Sequence, residues 1–312
     1  MTRRRWMSGG LAVSSLGLGG CYCVHEKRKL DGKYDFATLR APDGVEGWVR
    51  SMAELERDPV AANASVVHVG QSTHLLSLGG KRFLTDPWFY DPSFGALSHR
   101  VGPAVAPEGI GKLDFVLITH DHPDHADPKA LDQLDKGAVA VVAVKEHVAL
   151  MKKLGYRLVI LLEPWQSFPA AEGVEIAAVP AVHDVYEIGF VIKAGGRTVY
   201  FAGDTKLHKD LPAIAERFAP DTAILPVDGT KLVGNKTPWV MTPQDAVQAA
   251  QILKVKTVMP SHADTFISDA MVRKLHLATF VADAKPAFEK LVAAQLPGVR
   301  CVDPRPGERA SL

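Results

Sequence analysis

Residues Phe115–Asp127 read FVLITHDHPDHAD. The first four form an uninterrupted apolar run of strand length, closed by Thr119. Five of the next six side chains, His120, Asp121, His122, Asp124 and His125, can coordinate or orient a cation. Pro123 stops a regular helix from passing through them. A buried strand therefore hands over to a loop of ligands. One histidine after a strand is ordinarily a core or surface residue. Three at this density, with a carboxylate between the last two, are different, because burying them without a cation leaves ring nitrogens in need of partners. Imidazoles with a carboxylate suit zinc first, then iron or manganese.

Three outlying residues extend the pattern. His183 stands in PAVHD after the apolar run Val174–Val179, Asp204 in FAGDT after Thr198–Ala202, and His262 in MPSHADTF after Thr257–Met259. Each sits just beyond an apolar run, where strands pass functional groups to loops.

The loop THDHPDH and the three later residues, in this order, resemble the HxHxDH signature and remaining ligands of the metallo-β-lactamase-fold hydrolases. The resemblance runs from Val66 to Phe266. It implies an α+β fold, an αββα sandwich of two mixed sheets flanked by helices. It implies that His120, His122 and His183 hold one metal, that Asp124, His125 and His262 hold a second, and that Asp204 bridges them. Two zinc ions per chain are expected, with iron or manganese as substitutes, sharing a hydroxide that attacks the substrate. Asp86, in LTDP, is expected behind the ligands with Asp121, so the catalytic carboxylates are Asp124, Asp204 and Asp86. A carboxylate at 204 favours a general dinuclear hydrolase over an antibiotic-degrading one.

The runs GFVIKAGGRTVYFAGDT, APDTAILPVDG and VMTPQDAVQAAQILKVKTVMPSHADTF are similar to one branch of that family. It holds N-acylphosphatidylethanolamine phospholipase D, ascorbate-phosphate lactonase and many bacterial hydrolases. HADTF replaces the commoner HYNTF- or HWGTF-like form, Val240 or Met241 stands where the phospholipase often has histidine, and Gln71 replaces a frequent histidine in the first hairpin turn. These departures spare the ligands and bear on the substrate. The expected reaction is hydrolysis of a phosphodiester, as by a phospholipase D. The alternatives are a lactonase or carboxylic-ester hydrolase, and a metal-binding envelope lipoprotein without turnover. Asp184, beside His183, is a candidate proton donor.

The 312 residues, 47% hydrophobic, suffice for one large domain. With 36 basic and 35 acidic residues the net charge is +1, which gives no field to hold nucleic acid. The partner expected instead is a small-molecule or lipid substrate. Cysteines at 21, 23 and 301 make no disulfide framework. Residues 1–20 read as a signal: Arg3–Arg5 followed by a Gly/Ser-rich apolar stretch. TRRRWM resembles a twin-arginine export signal and LGLGGC a lipobox with Cys21 acylated, which implies a lipid-anchored protein of the bacterial cell envelope, facing the periplasm. Residues 21–60 read as anchor linker and one helix around Trp48, Met52 and Leu55, residues 61–304 as the hydrolase domain, and 305–312 as a tail.

Within the domain, Ser65–Val69, His74–Leu78 and Lys81–Thr85 read as strands, with a Gly79-Gly80 hairpin turn. Residues 88–109 read as a long loop whose Trp88, Phe89, Tyr90 and Phe94 either wall a substrate pocket or cover the sheet edge. Alternating strands and helices follow, including a helix capped by Thr242 and entered at Pro243.

Overall fold

The computed structural model describes residues 64–312. The leader, Cys21 and the helix read around Trp48 lie outside the described residues. In chain order β1 (Ala64–Gly70), β2 (Thr73–Leu78), β3 (Lys81–Thr85), β4 (Phe115–Ile118), β5 (Val139–Val142) and β6 (Leu158–Leu161) build one sheet. Then β7 (Ser167–Ala171), β8 (Val174–Pro180), β9 (Ile188–Ala194), β10 (Arg197–Phe201), β11 (Thr222–Pro226), β12 (Thr257–Ser261) and β13 (Arg300–Cys301) build the second. Finally β14 (Arg309–Ser311) returns to the first sheet beside β1, so the segment read as a tail supplies an edge strand. Its sequence, RAS, has no apolar alternation to announce it; pairing comes from the backbone alone.

Side-chain alternation sorts the core into three layers. Phe115 and Leu117 of β4 face the second sheet, meeting Ile188, Phe190 and Ile192 of β9. Val116 and Ile118 face the other way, toward α1 (Pro128–Leu131) and α2 (Lys145–Lys153), with Leu131 and Met151. On the far side, Val191, Tyr200 and Leu225 pack against α3 (Leu211–Phe218), α4 (Pro243–Leu253) and α6 (Ala284–Gln295). Helix, sheet, sheet, helix is the αββα sandwich expected. Thr242 accepts from the Asp245 N–H and Asp245 accepts from the Thr242 N–H, a capping box that starts α4 where it was read to start. At the end of the sandwich remote from the ligands the two hairpin turns touch: a Cβ on Gly79 would stand 2.6 Å from the Gly195 nitrogen.

Both sheets are antiparallel at one side and parallel at the other: β3 to β6 run parallel in the first, β10 to β13 in the second. Parallel strands deliver their C-terminal ends to one edge, where loops form a crevice. The long loop 88–109 is not bare: Leu97–His99 pairs antiparallel with Thr265–Ile267 and clamps the segment after β12. α5 (Ala270–Lys274), a short helix unread in the sequence, follows it.

Candidate metal centre

Every expected ligand emerges at that one edge. Asp86 follows β3, the 120–125 loop β4, His183 β8, Asp204 β10 and His262 β12. Two take left-handed backbone to turn inward, Asp86 at φ 34° and His262 at φ 54°. Such strain in non-glycine residues collects at functional sites.

The side chains converge as two triads. Ligand atoms of His120, His122 and His183 lie within 4.8 Å of one another, as do those of Asp124, His125 and His262. Asp204 reaches the second triad with Oδ2 3.1 Å from His125 Nε2 and 2.9 Å from His262 Nε2. His183 Nε2 is 3.3 Å from His122 Nδ1. All seven residues read from the sequence thus meet in one place.

The donor set fits cations. Nε2 of His120, His125 and His262 and Oδ1 of Asp124 and Asp204 are buried without a hydrogen-bond partner among the described residues. Buried polar atoms are normally paired, so five such atoms gathered on the ligand residues call for bound cations. The opposite ring nitrogens are held by protein. His125 Nδ1 donates to Asp86 Oδ2 at 2.7 Å, and His120 Nδ1 lies 2.9 Å from Thr119 Oγ1 and 3.1 Å from Glu187 Oε1. His183 Nδ1 is 3.2 Å from the Trp239 carbonyl oxygen, while His262 Nδ1 forms no hydrogen bond among the described residues but lies 3.2 Å from the Asp228 Oδ2 charge. One nitrogen anchored and one presented is how imidazoles are oriented on a metal.

The electrostatics agree. Burial, then the nearby His125, pulls His120 down to about 3, and burial with His120 pulls His122 down to about 4, so both stay neutral and able to coordinate. Burial opposes protonation of His125 and His262 as well. There the carboxylates win, Asp204 foremost, and hold both rings well above the usual histidine range. Burial likewise lowers His183, but the Asp184 hydrogen bond and neighbouring carboxylates lift it to about 9. Asp204 itself is held far below the ordinary carboxylate range by His125 and His262, against the opposing effect of burial. Negative charge concentrated here is compensated by protons where cations would serve.

The sequence profile of the family described as a β-lactamase superfamily domain matches residues 81–263, which span every ligand. The chain belongs to this superfamily. It is a metal-dependent hydrolase with the metallo-β-lactamase fold. A UPF0173 metal-dependent hydrolase of Caldivirga maquilingensis is 29% identical over 248 residues, covering 78% of this chain and 96% of the relative. One of Korarchaeum cryptofilum is 32% identical over 204 residues, covering 64% of this chain and 83% of the relative. The solved structure of Igni18, a metallo hydrolase from Ignicoccus hospitalis, is 25% identical with a TM-score of 0.62, covering 80% of this chain and 98% of that one.

Around this superfamily centre some sequence expectations change. Asp121 is exposed, so it does not stand behind a ligand; its place is taken by Glu187, which the sequence reading missed. Glu187 is buried, faces His120, and accepts the Asp204 N–H at 2.6 Å. Burial pushes its carboxyl up to about 7. A lone acid at the mouth of the apolar run Ile188–Lys193 was the available signal. Asp228 stands behind His262. Gln71 fastens the His262 loop: its side-chain oxygen accepts the Asp264 N–H at 3.0 Å, and its carbonyl accepts the His262 N–H at 3.4 Å. The four aromatics divide. Trp88 and Phe89 are core, Tyr90 bonds Gln133, and Phe94 alone reaches the centre, its ring centroid 5.1 Å from that of His122.

Gly203 explains how Asp204 is placed. It sits at φ 67°, and a Cβ there would lie 2.3 Å from Glu187 Oε1 and 3.1 Å from Thr119 Cγ2. Gly203→Ala is therefore expected to lower stability by about 1–3 kcal/mol from backbone strain and crowding. It should also cut bound metal, because Glu187 must leave Asp204. Calorimetry and metal analysis read both, and an unchanged Tm with full metal content would refute this packing.

Proposed function

We propose that the chain hydrolyses phosphodiesters with two zinc ions, in the manner of a phospholipase D. The observation that carries this reading is a pair of adjoining imidazole-rich triads, the His120 and His125 ring centroids 4.1 Å apart, with the Asp204 carboxylate against the second. Paired sites of this kind suit in-line displacement at phosphorus, where attacking and leaving oxygens both need charge stabilisation. Imidazole and carboxylate donors with no cysteine among them support zinc. Bound zinc would acidify water and neutralise charge developing on the phosphoryl oxygens.

The chain's own residues do the rest. Asp86, Glu187 and Asp228, with the Trp239 carbonyl, fix four imidazoles. Phe94 and Trp239 give the mouth an apolar wall, with the Trp239 ring 6.2 Å from that of His183. Asp184, exposed, has Oδ1 2.8 Å from His183 Nε2 and opens toward solvent. We assign it to carrying a proton to the leaving oxygen. Asp184→Asn should lower kcat about a hundredfold or more while bound metal stays near the wild-type level; unchanged kcat would remove it from the reaction. The leader and Cys21 support a place in the cell envelope, on a lipid anchor, where lipid phosphodiesters lie within reach.

The deciding experiment loads the full chain with zinc and offers bis(p-nitrophenyl) phosphate beside a panel of lactones and carboxylic esters. Phosphodiester turnover that a chelator abolishes and zinc restores is the expected result. Turnover of lactones or esters alone would transfer the site to acyl chemistry. A metal-replete chain inert to all would leave only a binding role.

A further inference from the structure

We propose that a lobe beside the metal centre, residues 230–241 with 265–281, docks on an anionic lipid bilayer. α5 within it buries none of its side chains. Met271 and Leu275, four positions apart and so on one face, are 60% and 54% exposed, and Val233 is 66% exposed. These are the three most exposed large apolar side chains among the described residues. They share one surface unit. Lys231 and Leu232 pair with Thr279 and Ala278, the Val233 N–H donates to the Leu277 carbonyl at 2.9 Å, and the Leu277 N–H donates to the Val272 carbonyl at 3.0 Å. Single exposed apolar residues are ordinary; a contiguous set marks an interaction surface.

Charge selects the partner. The lobe carries Lys231, Lys236, Arg273 and Lys274 against one carboxylate, Asp269, in a chain whose net charge is only +1. Asp269 is engaged in capping α5, accepting the Met271 and Val272 N–H groups at 2.8 Å. Lys231, Lys236 and Lys274 form no ion pair with another described residue. Exposed apolar side chains on a lobe with this excess of cations match the headgroup boundary of an anionic leaflet. A second copy fits poorly, because a two-fold contact would set the same cations against each other. Among the described residues no helix is long and apolar enough to cross a membrane, so docking is peripheral. The lobe adjoins the centre: the Val281 N–H donates to the Asp228 carbonyl at 2.7 Å, and Trp239 holds His183. A docked chain would hold the mouth of the site near the lipid surface.

This inference stands apart from the phosphodiester reading, and its test needs no turnover. The full chain carrying Cys21→Ser, so that no acyl chain can be attached there, is mixed with phosphatidylglycerol–phosphatidylcholine vesicles and followed by hydrogen exchange. Amides of 231–237 and 270–277 should exchange about tenfold more slowly, while those of β6, whose Leu158 and Leu161 are also exposed, stay unchanged. Met271→Glu with Leu275→Glu should erase the protection; both side chains are exposed, so the fold should survive. The proposal is overturned by no protection of the lobe, by equal protection with phosphatidylcholine alone, or by protection that persists in the double variant. Protection that grows with protein concentration in the absence of vesicles would assign the lobe to contact between copies, and would overturn it as well.

Discussion

Asp204→Ala should abolish hydrolysis, a fall of about a thousandfold or more in kcat/KM, with bound metal dropping below the wild-type level. Asp204 is one of two carboxylates, with Asp124, that face His125 and His262 of the second triad on their Nε2 side. Its loss removes one of the two carboxylates that balance a cation at that triad. Both Oδ atoms are committed to the centre: Oδ2 lies 3.1 Å and 2.9 Å from two ring nitrogens, and Oδ1 is buried with no partner. The metal-free fold should outlast the change. Without Asp204 the rings of His125 and His262 can shed the protons it helps to hold, so no unpaired buried charge is left behind. Low metal would then reflect a lost ligand, not unfolding, and circular dichroism of the metal-free variant makes the distinction. Asp204→Asn keeps the shape while removing the charge. If charge is what matters, both variants fail alike; if filling the space is enough, Asn recovers activity. Full turnover with undiminished metal in Asp204→Ala would reject the bridging role.

The ligands were legible because each follows directly on an apolar run. A strand that ends at a crevice has few positions from which a side chain can reach inward, and His183, Asp204 and His262 occupy them. The groups behind the ligands were mostly not legible. Asp86 was reached through a resemblance; Glu187 acts across the sandwich and Asp228 from the neighbouring strand's end, on residues 67 and 34 positions away in the chain, and spacing carries no trace of such pairs. Asp121 misled for the same reason: proximity in sequence to His120 and His122 placed it near them, while the turn at Pro123 points it to solvent. The short edge strands β7, β13 and β14 were missed because SFPAA, RC and RAS lack alternation, and their neighbours' backbone recruits them. The lobe with α5 was missed too, since a five-residue helix with no buried face leaves no period to read.

Asp86 tests whether the groups behind the ligands act by geometry or by proton placement. Its Oδ1 accepts the Thr119 N–H at 2.8 Å, and its Oδ2 accepts the Thr119 hydroxyl and the His125 Nδ1–H at 2.7 Å each. Alanine would strand the Thr119 N–H and the His125 Nδ1–H in a dry interior, at about 1–3 kcal/mol each. Metal affinity should fall about 10–100-fold, the usual cost of losing such a partner. Asparagine is the more telling change. It fills the same space, and its oxygen can keep the Thr119 N–H, but its amide then turns N–H toward His125 Nδ1. His125 can meet that donor only by moving its own proton to Nε2, the atom that faces the centre. Asp86→Asn should therefore keep most of the Tm lost in Asp86→Ala yet bind metal as weakly as the alanine variant. Thermal unfolding of the metal-free proteins and competition with a chelator measure the two quantities separately. Wild-type metal affinity in Asp86→Asn would show that Asp86 merely braces the loop, and that the tautomer of His125 is set by something else.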